Sequence, residues 1–156
     1  ALRGEPIHHP VDPELTVDVP GYIPDDYVPD PGQRLDLYKR LSAIEDEDEC
    51  RGLLDELADR FGPLPGETLL LADLMVVKAL ARRLDAKSIE LTKHRLAIAL
   101  GPSTPVDVTK LPRGWRLDRD GRLHTLFDAE AAKAPPQAAR RRLQDLGLQA
   151  AAPRAT

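Results

Sequence analysis

The sequence predicts an α+β fold with an extended N-terminal arm. Three observations predict it. Apolar residues recur at helical spacing from residue 31 to 84, the period changes to two between residues 88 and 127, and an amphipathic segment beginning near Pro136 closes the chain. Helices followed by closely spaced strands imply segregated layers, with a small, mainly antiparallel sheet built from two hairpins.

The elements follow in order. Residues 4–31 hold too many prolines for helix, and their one strand-like stretch, Leu15-Thr16-Val17-Asp18-Val19, alternates apolar and polar before Pro20-Gly21. It is read as a strand added to the body. Tyr22 to Asp30 is extended but carries Tyr22, Ile23, Tyr27 and Val28, so it should lie along the domain. Asp30-Pro31-Gly32-Gln33 combines a cap, a first-turn proline and a capping-box partner, which starts a helix running to about Ala43 with Leu37, Leu41 and Ile44 inward. Asp46 and Glu49 repeat that pattern. Cys50, Leu53, Leu54, Leu57 and Phe61 then form one apolar face, and Gly62-Pro63 ends the second helix. A third helix begins at Pro65 and is apolar nearly all round from Leu69 to Leu84, which predicts the most buried element, closed by Arg82, Arg83 and Asp85.

Ser88-Ile89-Glu90-Leu91 and Leu96 to Leu100 flank Thr92-Lys93-His94-Arg95, a first hairpin. Trp115-Arg116-Leu117 and Arg122 to Phe127 flank an Asp-Gly turn, a second one. A single helical turn is expected at Val106 to Leu111. The last helix should run from Pro136 to Gly147, with Ala139, Leu143 and Leu146 inward and Arg140, Arg141 and Arg142 largely outward.

Composition narrows the function. The 156 residues suit one domain plus a linker, and 42% apolar residues can form a core, filled by aliphatic side chains because only six aromatics are present. The net charge of −4 hides an asymmetry: −6 over residues 1–31, −3 over 32–109 and +5 over 110–156. An acidic chain argues against a surface devoted to nucleic acid, although a local basic patch around Arg113, Arg116, Arg119, Arg122 and Arg140 to Arg142 stands as an alternative. The single cysteine excludes an internal disulfide, and no apolar run approaches the roughly 18 residues of a membrane span. A cytoplasmic protein is expected. Ala1 to Glu5 has no initiator Met and no signal core, so an internal position in a longer chain is expected.

Catalytic and cofactor motifs are not found. No glycine-rich phosphate loop occurs, His8, His9, His94 and His124 lack helical ligand spacing, and none of Ser42, Ser88 and Ser103 sits in a nucleophile elbow. Cys50 falls on an apolar stripe, and the run Glu45-Asp46-Glu47-Asp48-Glu49 suits a helix N-terminus, where the dipole favours acids. No enzyme activity, cofactor or metal is expected in this chain.

One face stands out. On the second helix, Gly52, Glu56 and Asp59 lie opposite the apolar stripe, and the i, i+3 spacing aims both carboxylates the same way. Two readings stay open on the residues alone. Glu56 pairs with Arg60 at i+4 and Asp59 is solvated, or the two acids receive the guanidinium of a partner arginine, with Gly52 leaving room for close approach.

Ile23-Pro24-Asp25-Asp26-Tyr27-Val28-Pro29-Asp30 followed by Arg34 to Leu41, together with Glu56-Leu57-Ala58-Asp59-Arg60-Phe61-Gly62-Pro63-Leu64-Pro65, resembles the C-terminal domain of the bacterial transcription-repair coupling factor family. The likeness covers residues 13 to 127 in order and fades at Pro135-Pro136. Ala1 to Glu5 resembles the end of that family's motor region. The resemblance implies a parent that uses ATP and Mg to push along DNA, displaces stalled RNA polymerase and recruits UvrA for repair. It implies that DNA is met through the motor and not through this domain. It further implies a regulatory domain that latches onto the UvrB-like module of the same chain and masks the UvrA-binding surface, with Gly52, Glu56, Asp59 and Arg60 at the contact. The organisation expected is a linker over residues 1–13, the domain over 14–148 and a disordered tail over 149–156.

Overall fold

The computed structural model describes residues 12–18 and 21–151. Most of the expected linker, Val19, and residues 152–156 of the expected tail lie outside them. Strand β1 (Glu14–Val17) is followed by the arm and three helices, α1 (Pro31–Ser42), α2 (Glu47–Phe61) and α3 (Gly66–Arg83). Then come β2 (Ala86–Leu91), β3 (Arg95–Leu100), β4 (Trp115–Leu117) and β5 (Arg122–Leu126), followed by α4 (Ala129–Lys133) and α5 (Pro135–Ala151). The α+β architecture read from the sequence is the one observed.

The helix ends obey local chemistry. The Asp30 carboxylate accepts from the Gln33 N–H at 2.9 Å and Asp46 from the Glu49 N–H at 2.8 Å, satisfying N-terminal donors that have no partner within the helix. Gly62, at φ +93°, turns the chain out of α2 in a backbone region that side-chain-bearing residues rarely enter. Asp85, at φ +53°, does the same after α3.

The sheet order is β1-β2-β3-β5-β4. Both hairpins form as expected, but β1 joins beside β2 as a parallel edge strand, with Leu15 opposite Ile89 and Val17 opposite Leu91. The α1–α2–α3 segment supplies the long crossover that a parallel pair needs. One face of the sheet carries Ile89, Leu91, Leu96, Ile98, Leu123 and Trp115, which pack against Leu74, Val77 and Ala81 of α3 and Ala139, Leu143 and Leu146 of α5. A second cluster joins Ile23 and Val28 of the arm to Leu37, Leu41, Cys50, Leu53 and Leu57, and closes on Leu71, Ala72 and Val76 of α3. Helix α3 thus serves two cores at once, and this is why its sequence is apolar nearly all round.

The arm is fastened to the body. Backbone Tyr22 N–H donates to Glu67 O at 3.1 Å, the buried Thr68 hydroxyl donates to Tyr22 O at 3.2 Å, and Ile23 N–H donates to the Tyr38 hydroxyl at 2.8 Å. A Cβ at Gly21 would lie 2.6 Å from the backbone N and Cα of Leu71, so the crossing depends on glycine. Just before β1, Asp12 meets Lys78 at 2.9 Å and Arg82 at 2.6 Å. Burial alone would raise its carboxyl, but the two cations together hold it below the usual range.

Two sequence expectations are corrected here and one further element appears. Val106 to Leu111 forms no helical turn: Lys110 N–H reaches Asp107 O, and the Asp107 carboxylate takes the Thr109 N–H and hydroxyl, a local alternative to helix. Helix α4, capped by Asp128 through the Ala131 N–H, is too short at five residues to show a period and was not expected. Helix α5 begins at Pro135 and passes through Gly147 to Ala151. Docking of Leu143 and Leu146 outweighs the modest helix penalty of one glycine, about 1 kcal/mol.

Candidate functional site

Helix α2 is positioned by its buried stripe of Cys50, Leu53 and Leu57, which rests on α3 and α1. Its C-terminus is finished by the arm: the Tyr27 hydroxyl donates to Gly62 O at 2.8 Å and to Leu57 O at 3.2 Å, and its ring meets Phe61 with centroids 5.8 Å apart. Burial pushes the Tyr27 phenol upward, so it stays a donor. The two motif stretches, separate in sequence, meet here. Arg60 lies over the Phe61 ring at 4.9 Å, a cation–π contact that holds the guanidinium at the surface.

The opposite side of α2 faces outward. Gly52 is exposed, and a Cβ there would meet nothing within 4 Å, so nothing in the domain requires glycine at that point. Asp59 is exposed and has no ion pair among the described residues. Glu56 is different. Arg40 of α1 grips it end-on, Nη1 to Oε2 at 2.5 Å and Nη2 to Oε1 at 3.0 Å, while Arg60 stands 3.7 Å from Oε2. The hydrogen bonds from Arg40, aided by the charges of Arg40 and Arg60, hold the Glu56 carboxyl below the usual range. The i+4 pairing with Arg60 is therefore present but secondary. Sequence reasoning missed Arg40, 16 positions away on another helix, because no periodicity relates two helices across a turn.

Four acids of the run before this face, Asp46 to Glu49, are engaged within the domain. Asp46 caps α2, Glu49 accepts the Glu45 N–H at 3.0 Å, and Asp48 pairs with Arg51. Glu47 reaches α5, meeting Arg140 Nη2 at 2.6 Å, and Arg140 Nη1 also donates to Asp73 of α3 at 2.8 Å. This corrects the outward placement of Arg140, which is about a quarter exposed and ties three helices together. Burial raises the Asp73 carboxyl against the pull of Arg140, whereas the Arg140 contact lowers that of Glu47.

Cys50 is buried, and burial pushes its thiol upward, away from the reactive thiolate. No group of three His, Cys, Asp or Glu side chains that could hold a metal occurs among the described residues. No helix among them is long and apolar enough to cross a membrane. On the outer face of the sheet Glu90 meets Arg95 at 2.8 Å and Arg122 at 3.7 Å, while Arg113, Arg116 and Arg119 are exposed.

A family model described as the TRCF domain matches residues 17–111. The chain belongs to the TRCF domain family. The family match spans all of α1, α2 and α3 and includes Gly52, Glu56, Asp59 and Arg60. Similar proteins include the transcription-repair-coupling factor of Myxococcus xanthus, 37% identical over 110 residues, covering 70% of this chain and 9% of the relative. That of Escherichia coli K12 is 29% identical over 140 residues, 85% of this chain and 12% of the relative. The chain thus spans about a tenth of the length of these relatives. In fold, the chain is similar to a crystal structure of the C-terminal domain of transcription-repair coupling factor. The TM-score is 0.66 at 20% identity, covering 87% of this chain and 94% of that one.

Proposed function

We propose that this chain is the regulatory, protein-interacting domain of a transcription-repair coupling factor acting in the cytoplasm in transcription-coupled DNA repair. In this reading the domain does no chemistry. It latches onto the UvrB-like module of its own parent, masks the surface that UvrA binds, and restrains an ATP- and Mg-dependent DNA translocase until RNA polymerase is engaged. Gly52, Glu56, Asp59 and Arg60 form the contact. The observation that carries the reading is the outward face of α2, where an exposed Asp59 carboxylate, unpaired among the described residues, and an unhindered backbone at Gly52 adjoin the Glu56 carboxylate within the family-matched segment. Such a face fits the planar fork of arginine.

A latch must be weak enough to open, and exposed charge pairs meet that need. In the full-length parent, Glu56→Ala with Asp59→Ala should leave folding intact and raise UvrA binding about tenfold, together with basal ATPase activity. Unchanged UvrA affinity in a pull-down would remove these residues from the latch. The exposed Arg113, Arg116 and Arg119 favour a second reading, an accessory nucleic-acid contact. A salt titration separates the two: the latch reading expects negligible DNA affinity from this chain, whereas the basic surface expects affinity that falls steeply with salt.

A further inference from the structure

The two acids of the α2 face are not equally available. Asp59 has no cation partner among the described residues, whereas both oxygens of Glu56 are engaged by the two terminal nitrogens of Arg40, and Arg60 stands beside one of them. A guanidinium held end-on by both terminal nitrogens uses the inward lone pairs of both carboxylate oxygens, so an arriving arginine meets only what remains. It also meets two like charges already in place. Arg40 is held there by α1, whose Leu37 and Leu41 are buried against the α2 stripe, so the grip comes from helix packing and not from chance contact between surface side chains. Both partners are nonetheless well exposed, 48% for Arg40 and 38% for Glu56, so an exchange of one guanidinium for another needs no repacking.

We propose that Arg40 is a built-in competitor for Glu56: a docking arginine takes Asp59 directly but reaches Glu56 only by displacing Arg40, which keeps the contact weak enough to open. This rests on the reading of the α2 face as the docking surface. The physical effect is a subtraction. Docking forms one ion pair at Glu56 and breaks another of the same chemistry, so Glu56 contributes little net attraction while Arg40 is present. Removing Arg40 converts Glu56 from a self-occupied acceptor into a free one.

The test is a calorimetric titration of the 156-residue chain against the separately prepared UvrB-like module at one low salt concentration. Arg40→Ala should bind about two- to fivefold tighter than the parent sequence, the worth of one exposed ion pair. Asp59→Ala should bind more weakly. Glu56→Ala should change affinity little, and Arg40→Ala with Glu56→Ala should match Glu56→Ala alone, because the gain passes through that carboxylate. If Arg40→Ala binds equally or more weakly while Asp59→Ala is impaired, Arg40 is no competitor and the inference falls alone. A gain from Arg40→Ala that persists without Glu56 also overturns it. If Asp59→Ala binds as the parent does, the docking reading itself fails and takes the inference with it.

Discussion

Two arginine–carboxylate ties join helices in this domain, and they differ mainly in burial. Arg140 of α5 reaches Glu47 and Asp73 across a half-buried seam, while Arg40 of α1 reaches Glu56 on an exposed face. The chemistry is the same and the consequences diverge. In the seam, burial raises the Asp73 carboxyl and makes each charge depend on the others. On the exposed face, water can replace either partner, so the pair contributes little to folding and stays free to exchange. Burial turns an ion pair into structure, and exposure leaves it open to exchange.

The largest effect expected from this contrast is on stability at the seam. Arg140→Ala leaves Asp73 and Glu47 facing each other without their cation, and should cost about 1–3 kcal/mol in denaturant unfolding. That is less than a fully buried pair, because about a quarter of the Arg140 side chain meets solvent. Replacing all three with apolar residues of similar volume should recover most of the loss. A loss with Arg140→Ala no larger than with Arg40→Ala would erase the contrast.

A pH series sharpens it. Arg140 stabilises the ionised forms of Glu47 and Asp73, so the Arg140→Ala deficit should be fullest near neutrality. It should shrink as pH falls through the carboxyl values of the two acids in the folded protein, above 3.8 for Asp73 and then below 4.5 for Glu47. The two acids also oppose each other. Asp73, raised in the fold, favours folding below its ordinary value and loses that contribution as pH rises through its raised folded value. Glu47, lowered in the fold, contributes above its ordinary value and loses the contribution on acidification. Unfolding midpoints between pH 3 and pH 7 would test this, and a deficit that grows on acidification would contradict it.

The smallest effect belongs to the exposed pair. Arg40→Ala should leave the thermal midpoint where it is and move the Glu56 carboxyl titration upward toward its ordinary value, as followed by carbon NMR of the side chain. An unmoved titration would mean that Arg40 does not hold Glu56 in solution.

Much of this domain was legible in its sequence because local rules decide local outcomes. The caps Asp30 and Asp46, the stop at Gly62, both hairpins and the double-sided burial of α3 each follow from a few neighbouring residues. What was not legible lies between elements. That β1 runs parallel beside β2, that Arg140 turns inward, and that Arg40 rather than Arg60 is the main partner of Glu56 are facts of packing. They join residues 16 to 93 positions apart, where neither period nor spacing carries information. By itself the sequence determined which faces are apolar, where helices begin and end, and that Gly52, Glu56 and Asp59 share one outward side. Only the tertiary structure decided which of those acids is already occupied, because a long charged side chain chooses its partner from whatever the folded chain brings within reach.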